Sequence, residues 1–517
     1  MSDNVVMLLW VGGGLLTVVL LLLVYDLLQK RRAILRNFPI IGHFRYWLEA
    51  IGPELRQYIV TNNDEERPFS RDDRRWVYAS AKKENNYFGF GTDNDLERSS
   101  NYLIVKHSAF PLTAPREGDE DYDPTYAVPC LKTLGAARGR PHAFQPKSLV
   151  NISGMSFGSL SAPAVEALNL GAALCGCLHN TGEGGVAPHH LHGGDLVWQI
   201  GTGYFGCRND DGTFNRAQMA ETVETAGIKA IEIKLSQGAK PGLGGVLPQA
   251  KISAEIAGIR GISRDHDCIS PSRHSAFSDV DSMLDFVEEV ALVTGVPVGL
   301  KSAVGEDKFW IDLANAMAHG GRGVDFIAID GGEGGTGAGP LAFTDHVALP
   351  FKIGFSRVFK IFAERGITDK VVFVGSGKLG FPETGLLALA MGCDMINVGR
   401  EAMMAIGCIQ AQRCHTGHCP TGVATQNRWL MRGLDPTSKG ARLANYVTTL
   451  RKELLQLARA CGVDHPGRVG VKRFEVLDDH LGCRPAAEVF GYTAAPVPAP
   501  KPTGEDEDIV TVRFPSR

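Results

Sequence analysis

The sequence lacks the features that identify several common classes of protein. Its 517 residues carry a formal net charge of only −4, so no basic surplus points to a nucleic-acid partner. No repeat of fixed period occurs, which argues against a solenoid. No glycine-rich dinucleotide fingerprint with its acidic partner is found, so we predict no nicotinamide-binding unit. Eleven cysteines are too few for a disulfide scaffold at this length, and we expect a reducing compartment.

A long apolar run lies near the N-terminus. Residues 5–24 contain no charged side chain, and a helix of about 20 apolar residues spans a bilayer core. A secretory signal peptide is the alternative, but no lysine or arginine precedes the run. The basic cluster Lys30 to Arg32 follows it instead. The positive-inside rule then predicts a single-pass anchor, residues 1–32, with the rest of the chain in the cytoplasm.

From residue 147 onward, short apolar runs alternate with longer helical stretches, which predicts an α/β fold. Eight runs have the length and composition of buried strands: 149–154, 173–179, 196–201, 230–235, 296–301, 326–330, 371–375 and 395–398. This count predicts a (β/α)8 TIM barrel over residues 147–480, with an insertion between the fourth and fifth strands. We expect residues 33–146 to form an irregular extension that packs on the barrel. We expect residues 481–517 to be a largely disordered tail.

Three cysteines lie close together after the last predicted strand. Cys408, Cys414 and Cys419 have the spacing C-x5-C-x4-C, and thiolates at such spacing can share an iron–sulfur cluster. The glycine between them and the following Pro-Thr-Gly allow a tight loop. Two alternatives stay open at this point: three unrelated cysteines, or a zinc site completed by His415 or His418.

Glycine-rich and polar strings follow the predicted strands, at the end of the barrel where active sites lie. They are N-I-S-G-M-S-F-G-S, N-T-G-E-G-G, K-L-S-Q-G-A-K-P-G and D-G-G-E-G-G-T-G-A, after the first, second, fourth and sixth strands. Lys234 and Lys240 are six residues apart across a glycine-containing turn. Two cations in one pocket suit a dicarboxylate or a reduced flavin, with a structural ion pair as the alternative.

These strings together resemble the FMN domain of the glutamate synthases, in their stand-alone, membrane-anchored form. The cluster loop C-x5-C-H-x3-C-x-T-G-V-A-T-Q carries much of the resemblance, which covers residues 147–464. It implies an oxidoreductase acting on CH–NH2 donors that reductively aminates 2-oxoglutarate to glutamate. It further implies FMN and an iron–sulfur cluster of the 3Fe-4S type. An external electron donor, ferredoxin-like or membrane-linked, would reduce the cluster.

The resemblance also assigns roles to individual residues. The catalytic residues would be Glu183, Lys234 and Lys240. The substrate-binding residues would be Arg260, Gln237, Met155 and Ser156. The cofactor-binding residues would be Ser156, Lys234, Lys301, Gly331, Gly332, Gly335, Thr336, Gly375, Gly377, Gly399 and Arg400. The cluster ligands would be Cys408, Cys414 and Cys419.

Two departures from the family pattern leave the substrate open. Leu243 and Val246 stand where the family places a glutamate and a glutamine. The alternatives are an enzyme that acts with the same cofactors on another amine or 2-oxo acid, or a membrane-tethered electron-transfer subunit. We expect neither a glutaminase nor a glycine-repeat domain, so ammonia or an amine would come from solution or a partner. A homo-oligomer is left open.

Overall fold

The computed structural model describes residues 3–29, 32–62, 65–97, 99–478 and 481–492. It divides into two compact units, Met1–Arg74 and Arg75–Arg517, which are described separately. Lys30, Arg31 and most of the predicted tail, residues 493–517, lie outside the described residues.

The first unit is helical. It contains α1 (Asp3–Leu28), α2 (Ala33–Asn37), α3 (Gly42–Leu55) and a π-helical turn over Arg56–Val60. Helix α1 is long and apolar enough to cross a membrane, although a signal sequence passes the same test. The buried carboxylate of Asp26 accepts a hydrogen bond from the Ile40 backbone N–H at 2.9 Å and lies 2.9 Å from Nε2 of His43. These contacts connect the end of α1 to the start of α3.

The remaining helices and the strands follow in chain order. The helices are α4 (Arg71–Lys82), α5 (Ala162–Cys175), α6 (Arg216–Ala226), α7 (Ala254–Arg260), α8 (Val280–Thr294), α9 (Asp307–His319), α10 (Leu341–His346), α11 (Phe351–Ala363), α12 (Pro382–Ala390), α13 (Arg400–Ala405), α14 (Arg428–Met431), α15 (Pro436–Ala460) and α16 (Ala486–Val489). The strands are β1 (Leu103–Val105), β2 (Val150–Ile152), β3 (His179–Asn180), β4 (Leu196–Ile200), β5 (Ala230–Lys234), β6 (Val246–Leu247), β7 (Cys268–Ile269), β8 (Val298–Ser302), β9 (Phe326–Asp330), β10 (Val372–Ser376), β11 (Met395–Val398), β12 (Phe474–Leu477) and β13 (Cys483–Pro485).

Eight strands form a closed parallel barrel in the order β10-β11-β2-β3-β4-β5-β8-β9. The predicted TIM-barrel fold is confirmed. The interior is packed with side chains from the first residues of the strands, including Phe326 and Met395, and with Cys130 and Leu134 from the segment before the barrel. This apolar layer fills the end of the barrel at which the strands begin, and the opposite rim is the end at which TIM barrels place their active sites.

The second predicted strand, residues 173–179, begins too early in the chain. Residues 173–175 complete α5, whose N-cap Ser161 accepts a hydrogen bond from the Ala164 N–H and whose C-cap is Gly176 at φ 68°. The strand itself is reduced to His179–Asn180. The end of α5 and the strand that follows it are both mostly apolar in sequence, so hydrophobic periodicity does not separate them.

The predicted insertion lies between β5 and β8. Within it, β6 and β7 pair antiparallel and α7 lies between them in the chain. The start of the predicted tail differs from expectation, because β13 pairs antiparallel with β12 and α16 follows it. Residues 481–492 are therefore ordered, since their backbone groups extend an existing sheet.

Helices α5 and α15 approach each other closely through two glycines. A Cβ atom on Gly171 would lie 2.7 Å from Cβ of Leu443 and 2.8 Å from the carbonyl oxygen of Gly440. A Cβ atom on Gly440 would lie 2.9 Å from Cβ of Leu170. The glycines therefore set the distance between these two helices.

We predict that Gly171→Ala lowers the melting temperature. Overpacking of a tight core costs about 1–3 kcal/mol, which exceeds the gain of about 1 kcal/mol from replacing a helical glycine by alanine. Gly258→Ala in α7 is the control, because a Cβ atom there meets nothing within 4 Å. Both variants are compared by thermal melting. Equal stabilisation of the two would show that Gly171 is not required for the close contact between α5 and α15.

Candidate functional site

The carboxyl ends of β3 and β5, which flank β4 in the barrel, bring a glutamate and a lysine into contact at the rim. Nζ of Lys234, the last residue of β5, lies 3.1 Å from Oε2 of Glu183, which follows β3, and donates to Oε1 of Gln237 at 2.8 Å. Glycines flank the carboxylate on both sides. A Cβ atom on Gly245 would lie 2.3 Å from Oε1 of Glu183, and one on Gly201 would lie 2.8 Å from Oε2. The backbone around this carboxylate leaves no room for side chains.

The charges around Glu183 keep it ionised. Burial by itself would raise the pKa of Glu183, but Lys234, and then Lys240 and Arg260, outweigh burial and lower it. Lys240 is only 6% exposed. Burial lowers the pKa of Lys240, and the negative charge of Glu183 partly offsets this. Within the described ranges, no carboxylate lies within 4.0 Å of the Lys240 ammonium. An anionic ligand beside Lys240 would therefore meet an unpaired cation.

Arg260, the last residue of α7, points at the same region from the insertion. It is 5% exposed, its Nη2 donates to the Phe157 carbonyl at 3.1 Å, and its guanidinium lies 5.1 Å from the centre of the Phe205 ring. Its buried Nε has no hydrogen-bond partner in the described part of the chain. A Cβ atom on Gly184 would lie 3.0 Å from both Nη2 of Arg260 and Cβ of Ser156. The loops after β2 and β3 therefore meet at this arginine.

The loop after β2 packs tightly on the loop after β3. Gly182 has φ 68°, and a Cβ atom there would lie 2.5 Å from the backbone nitrogen of Ser156 and 2.8 Å from the carbonyl carbon of Met155. A glycine is required on both counts. Ser156 donates its hydroxyl to Oγ of Ser159 at 3.0 Å. The predicted residues Met155, Ser156 and Glu183 thus lie in adjoining loops.

Lys301 lies beside Lys234 in the sheet, because the two are register partners on β8 and β5. Its Nζ is 3.5 Å from Oδ2 of Asp330, an oxygen that also accepts a hydrogen bond from the Gly238 N–H at 2.9 Å. Burial would lower the pKa of Lys301, but Asp330, followed by Glu232, raises it. The lysine at this rim position is therefore cationic at neutral pH.

Sequence reasoning missed Glu232 and Asp330. Oε1 of the buried Glu232 accepts hydrogen bonds from Asn180 at 2.8 Å and from Gln199 at 2.6 Å. Asp330 ends a predicted strand and begins a glycine-rich string, a signal that identifies a rim residue. Glu232 lies between two isoleucines inside a strand, and only the barrel places its partners around it.

Several predicted cofactor residues meet on the opposite side of the rim. Arg400, the first residue of α13, donates Nη2 to the carbonyl of Glu333. A Cβ atom on Gly335 would lie 2.6 Å from Cδ of Arg400. A Cβ atom on Gly377, whose φ is 133°, would lie 3.2 Å from the nitrogen of Gly331. The loops after β9, β10 and β11 therefore form a glycine-lined surface beside an arginine, as the usual barrel phosphate site requires.

Two other predicted cofactor residues, Gly375 and Gly332, pack against neighbouring protein groups. Gly375 faces away from the rim, because a Cβ atom there would lie 2.9 Å from the Phe351 ring and 3.0 Å from Sγ of Cys393. Gly332 approaches the carbonyl of Ala348, 2.6 Å from its ideal Cβ position.

Gly399 and Thr336 lie closer to the rim. The ideal Cβ position of Gly399 is 3.5 Å from Cβ of Ser153 after β2. That of Gly339 is 3.2 Å from Cγ2 of Thr336 and 3.7 Å from Cβ of Lys240, so the Thr336 loop borders Lys240.

The three predicted cluster ligands lie close enough to influence one another. Burial raises the pKa of Cys408 to about 12, and Cys414 and Cys419 contribute to the rise. Burial and Cys419 also raise the pKa of Cys414. Burial would raise the pKa of Cys419 as well, but N–H groups, that of Ala424 foremost, and the Thr421 hydroxyl lower it overall. The environment of Cys419 therefore favours the thiolate that a metal requires.

No compact single-ion site exists at this loop. Among the described residues, no group of three or more His, Cys, Asp and Glu side chains is arranged to hold one metal ion. His418, one of the two histidines considered for zinc, places its Nδ1 2.9 Å from the Thr416 carbonyl. In a cluster of several iron atoms each thiolate binds a different iron, so the ligands lie farther apart than around one ion.

The cysteine loop packs on the loop after β2. Nε2 of Gln426 donates to the Leu160 carbonyl at 2.8 Å, and the Ser161 N–H donates to the Val423 carbonyl at 2.9 Å. Nζ of Lys251 donates to the Cys414 carbonyl at 2.7 Å. The cysteine loop is therefore a neighbour of the loop that carries Ser156. Sequence reasoning also missed Lys251, which no motif indicates.

Comparison with known proteins places the chain in one family. A family model described as a conserved region in glutamate synthase matches residues 137–464. The chain is 38% identical over 470 residues to the glutamate synthase large subunit-like protein YerD of Bacillus subtilis, covering 86% of this chain and 89% of that protein.

Two further comparisons, with a relative and with a solved structure, have lower sequence identity. The chain is 33% identical over 321 residues to the archaeal NADPH glutamate synthase of Methanocaldococcus jannaschii, and the match spans 61% of this chain and 59% of that protein. The flavin-binding domain of baker's yeast flavocytochrome b2 aligns over 89% of this chain and 99% of its own, at 14% identity and a TM-score of 0.44. That structural similarity is too low to bear on function.

We predict that Asp330→Asn destabilises the barrel. The substitution removes the carboxylate next to the buried Lys301, and breaking such a pair costs about 3 kcal/mol. The control is Asp312→Asn, which breaks the exposed pair with Lys308 and should change stability by less than about 1 kcal/mol. Denaturant unfolding is the measurement. Equal losses in both variants would show that Lys301 does not depend on Asp330.

Proposed function

The chain belongs to the glutamate synthase family and is an oxidoreductase, and we propose that it reductively aminates a 2-oxo acid with FMN and an iron–sulfur cluster. The proposed acid is 2-oxoglutarate and the product glutamate. The observation that carries this proposal is the set of cations around the ionised carboxylate of Glu183: Lys234, which pairs with it, and the buried Lys240 and Arg260. A dianionic substrate would satisfy those cations, and Glu183 would attract the ammonium that becomes the amino group.

The charges support a specific binding mode. Lys240 has no carboxylate partner in the described chain, and Arg260 has an unpartnered Nε, so both are available to substrate carboxylates. The ionised Glu183 would attract ammonium by its charge, and the ammonia formed when that ammonium loses a proton to water would attack C2 of the oxo acid with loss of water. Lys234, bonded to both Glu183 and Gln237, would fix the orientation of Glu183. The resulting imine would be reduced at C2.

The rim fits FMN on structural grounds. Side chains at Gly331 and Gly335 are excluded, since their ideal Cβ positions lie 2.5 Å from Oε2 of Glu333 and 2.6 Å from Cδ of Arg400. Arg400 would hold the phosphate, and the cationic Lys301 would stabilise negative charge on the ring. When bound there, FMN supplies the hydride equivalent.

The cysteine loop supports the electron supply. Cys408, Cys414 and Cys419 would hold a 3Fe-4S cluster, and their loop packs on the loop that carries Ser156. The cluster would pass electrons inward from an external donor, ferredoxin-like or membrane-linked. Ammonia or an amine would come from solution or a partner.

We further propose that α1 anchors the chain in a membrane, with the barrel in the cytoplasm. The length and apolar composition of α1 support the anchor, and the basic residues that follow it support the orientation.

One observation favours a second candidate, an enzyme for another amine or 2-oxo acid. Val246 is an exposed apolar residue on β6, adjacent in sequence to Gly245, whose ideal Cβ position is 2.3 Å from Glu183. An apolar residue at this position, where the family pattern has a glutamine, would suit a less polar substrate than 2-oxoglutarate.

Anaerobic stopped-flow absorbance tests the proposal. Chemically reduced protein is mixed with 2-oxoglutarate and ammonium, separately and together, and reoxidation of the flavin band is followed. Fast reoxidation that needs both compounds is expected. If the flavin stays reduced when both compounds are added, 2-oxoglutarate is excluded as the substrate, and other oxo acids would then be screened. Absence of a flavin band would refute the use of FMN.

We predict that Lys240→Ala lowers the amination rate about 10–100-fold while leaving flavin content near that of the wild type. A charge-assisted hydrogen bond contributes about 1.5–3 kcal/mol, which corresponds to that range. Lys308→Ala, on the exposed face of α9, is the control for loss of a lysine. Parallel loss of flavin and activity would mean that Lys240 has a structural role instead.

We predict that a membrane-impermeant maleimide labels Cys483 only after the cells are lysed. Cys483 is the exposed cysteine among those in the described residues, and it lies in the unit that we place in the cytoplasm. Cys483→Ser identifies the signal from this thiol. Equal labelling of intact and lysed cells would reverse the proposed orientation. Extraction of the protein from membranes by alkaline carbonate would refute the anchor.

A further inference from the structure

Lys251 places a buried ammonium inside the cysteine loop. It lies on a 3-10 turn, Gln249–Lys251, in the insertion between β5 and β8, and is 7% exposed. Its Nζ donates to the Cys414 carbonyl at 2.7 Å. Its Cε lies 3.7 Å from the ideal Cβ position of Gly417, which stands between Cys414 and Cys419 in the chain. The lysine therefore reaches into the loop from a distant segment.

The ammonium has no counter-ion in the protein as described. No carboxylate of the described ranges lies within 4.0 Å of its Nζ, whereas Lys234 is paired with Glu183 and Lys301 with Asp330. A buried charge without an opposite charge costs several kcal/mol, so such a lysine implies an anion nearby. The anionic groups that the loop can offer are cysteine thiolates and whatever they bind.

Hydrogen bonds fix the chain both before and after Lys251, at Gln249 and at Ser253. The Gln249 N–H donates to Oδ1 of Asp267 at 2.7 Å, which ties the turn to the residue before β7. Two residues after Lys251, Ser253 caps α7 by accepting the Ile256 N–H, and α7 ends at Arg260. The ammonium is therefore fixed in position by the same helix that carries the proposed substrate arginine.

We propose that Lys251 is a positioning residue for the iron–sulfur cluster, and that its positive charge makes the cluster easier to reduce. This inference rests on the cluster proposed above. Reduction adds one negative charge to the cluster, and net charge and hydrogen bonds around a cluster set its potential. The donor N–H orders the Cys414 segment, and the charge favours the reduced state.

The test is a redox titration of the full chain in detergent, followed by electron paramagnetic resonance and visible absorbance. Lys251→Gln keeps an N–H donor and removes the charge, whereas Lys251→Arg keeps both. We expect Lys251→Gln to lower the equilibrium constant for one-electron reduction about tenfold, a shift of ~59 mV to more negative potential. Lys251→Arg and the surface control Lys308→Gln should titrate like the wild type.

The outcomes separate this inference from the proposed function. A wild-type protein without a cluster signal and without acid-labile sulfide would refute the cluster itself. A wild-type signal together with an unchanged potential in Lys251→Gln would overturn the role of Lys251 alone. If Lys251→Gln loses acid-labile sulfide, Lys251→Arg decides between the two explanations. Normal sulfide content and a normal potential in Lys251→Arg would support the role of the positive charge. Loss of sulfide in Lys251→Arg as well would reject that role.

Discussion

Closure of the parallel barrel is the constraint on which the rest of the structure depends. A closed sheet of eight parallel strands has one rim at which every strand ends, and the apolar layer around Phe326 and Met395 fills the other end. Residues far apart in the chain, such as Glu183 after β3 and Lys234 on β5, consequently meet at a single surface. The charged groups of the site lie together because they sit at or just after the carboxyl ends of the strands.

The pairing of the lysines near that rim supports the ligands proposed above. Lys234 and Lys301 have carboxylate partners within the described chain. Lys240 and Lys251 are buried without one, and each stands beside a place proposed for an anion: the oxo acid for Lys240, the cluster for Lys251. Protein interiors rarely keep an ammonium without compensation. The proposed ligands follow from this imbalance as well as from family membership.

The insertion between β5 and β8 joins the two halves of the proposed chemistry. Its turn at Lys251 contacts the cysteine loop, and its helix α7 ends at Arg260 beside the loops after β2 and β3. Residues 249–260 of this insertion thus touch both the place where electrons would enter and the place where the substrate would bind. The cysteine loop, in turn, packs on the loop after β2.

The sequence by itself determined the fold class, most of the barrel strands and the segments that form the rim, because apolar runs and glycine-rich strings are local signals. It also determined the candidate cysteines, through their spacing. It could not separate the end of α5 from a strand, since residues 173–179 form one mostly apolar run. It could not show that Gly375 faces the helices, that Glu232 is bound by Asn180 and Gln199, or that Lys251 reaches a cysteine 163 residues away. Only the tertiary structure decided these points, because each depends on which elements the closed barrel brings side by side.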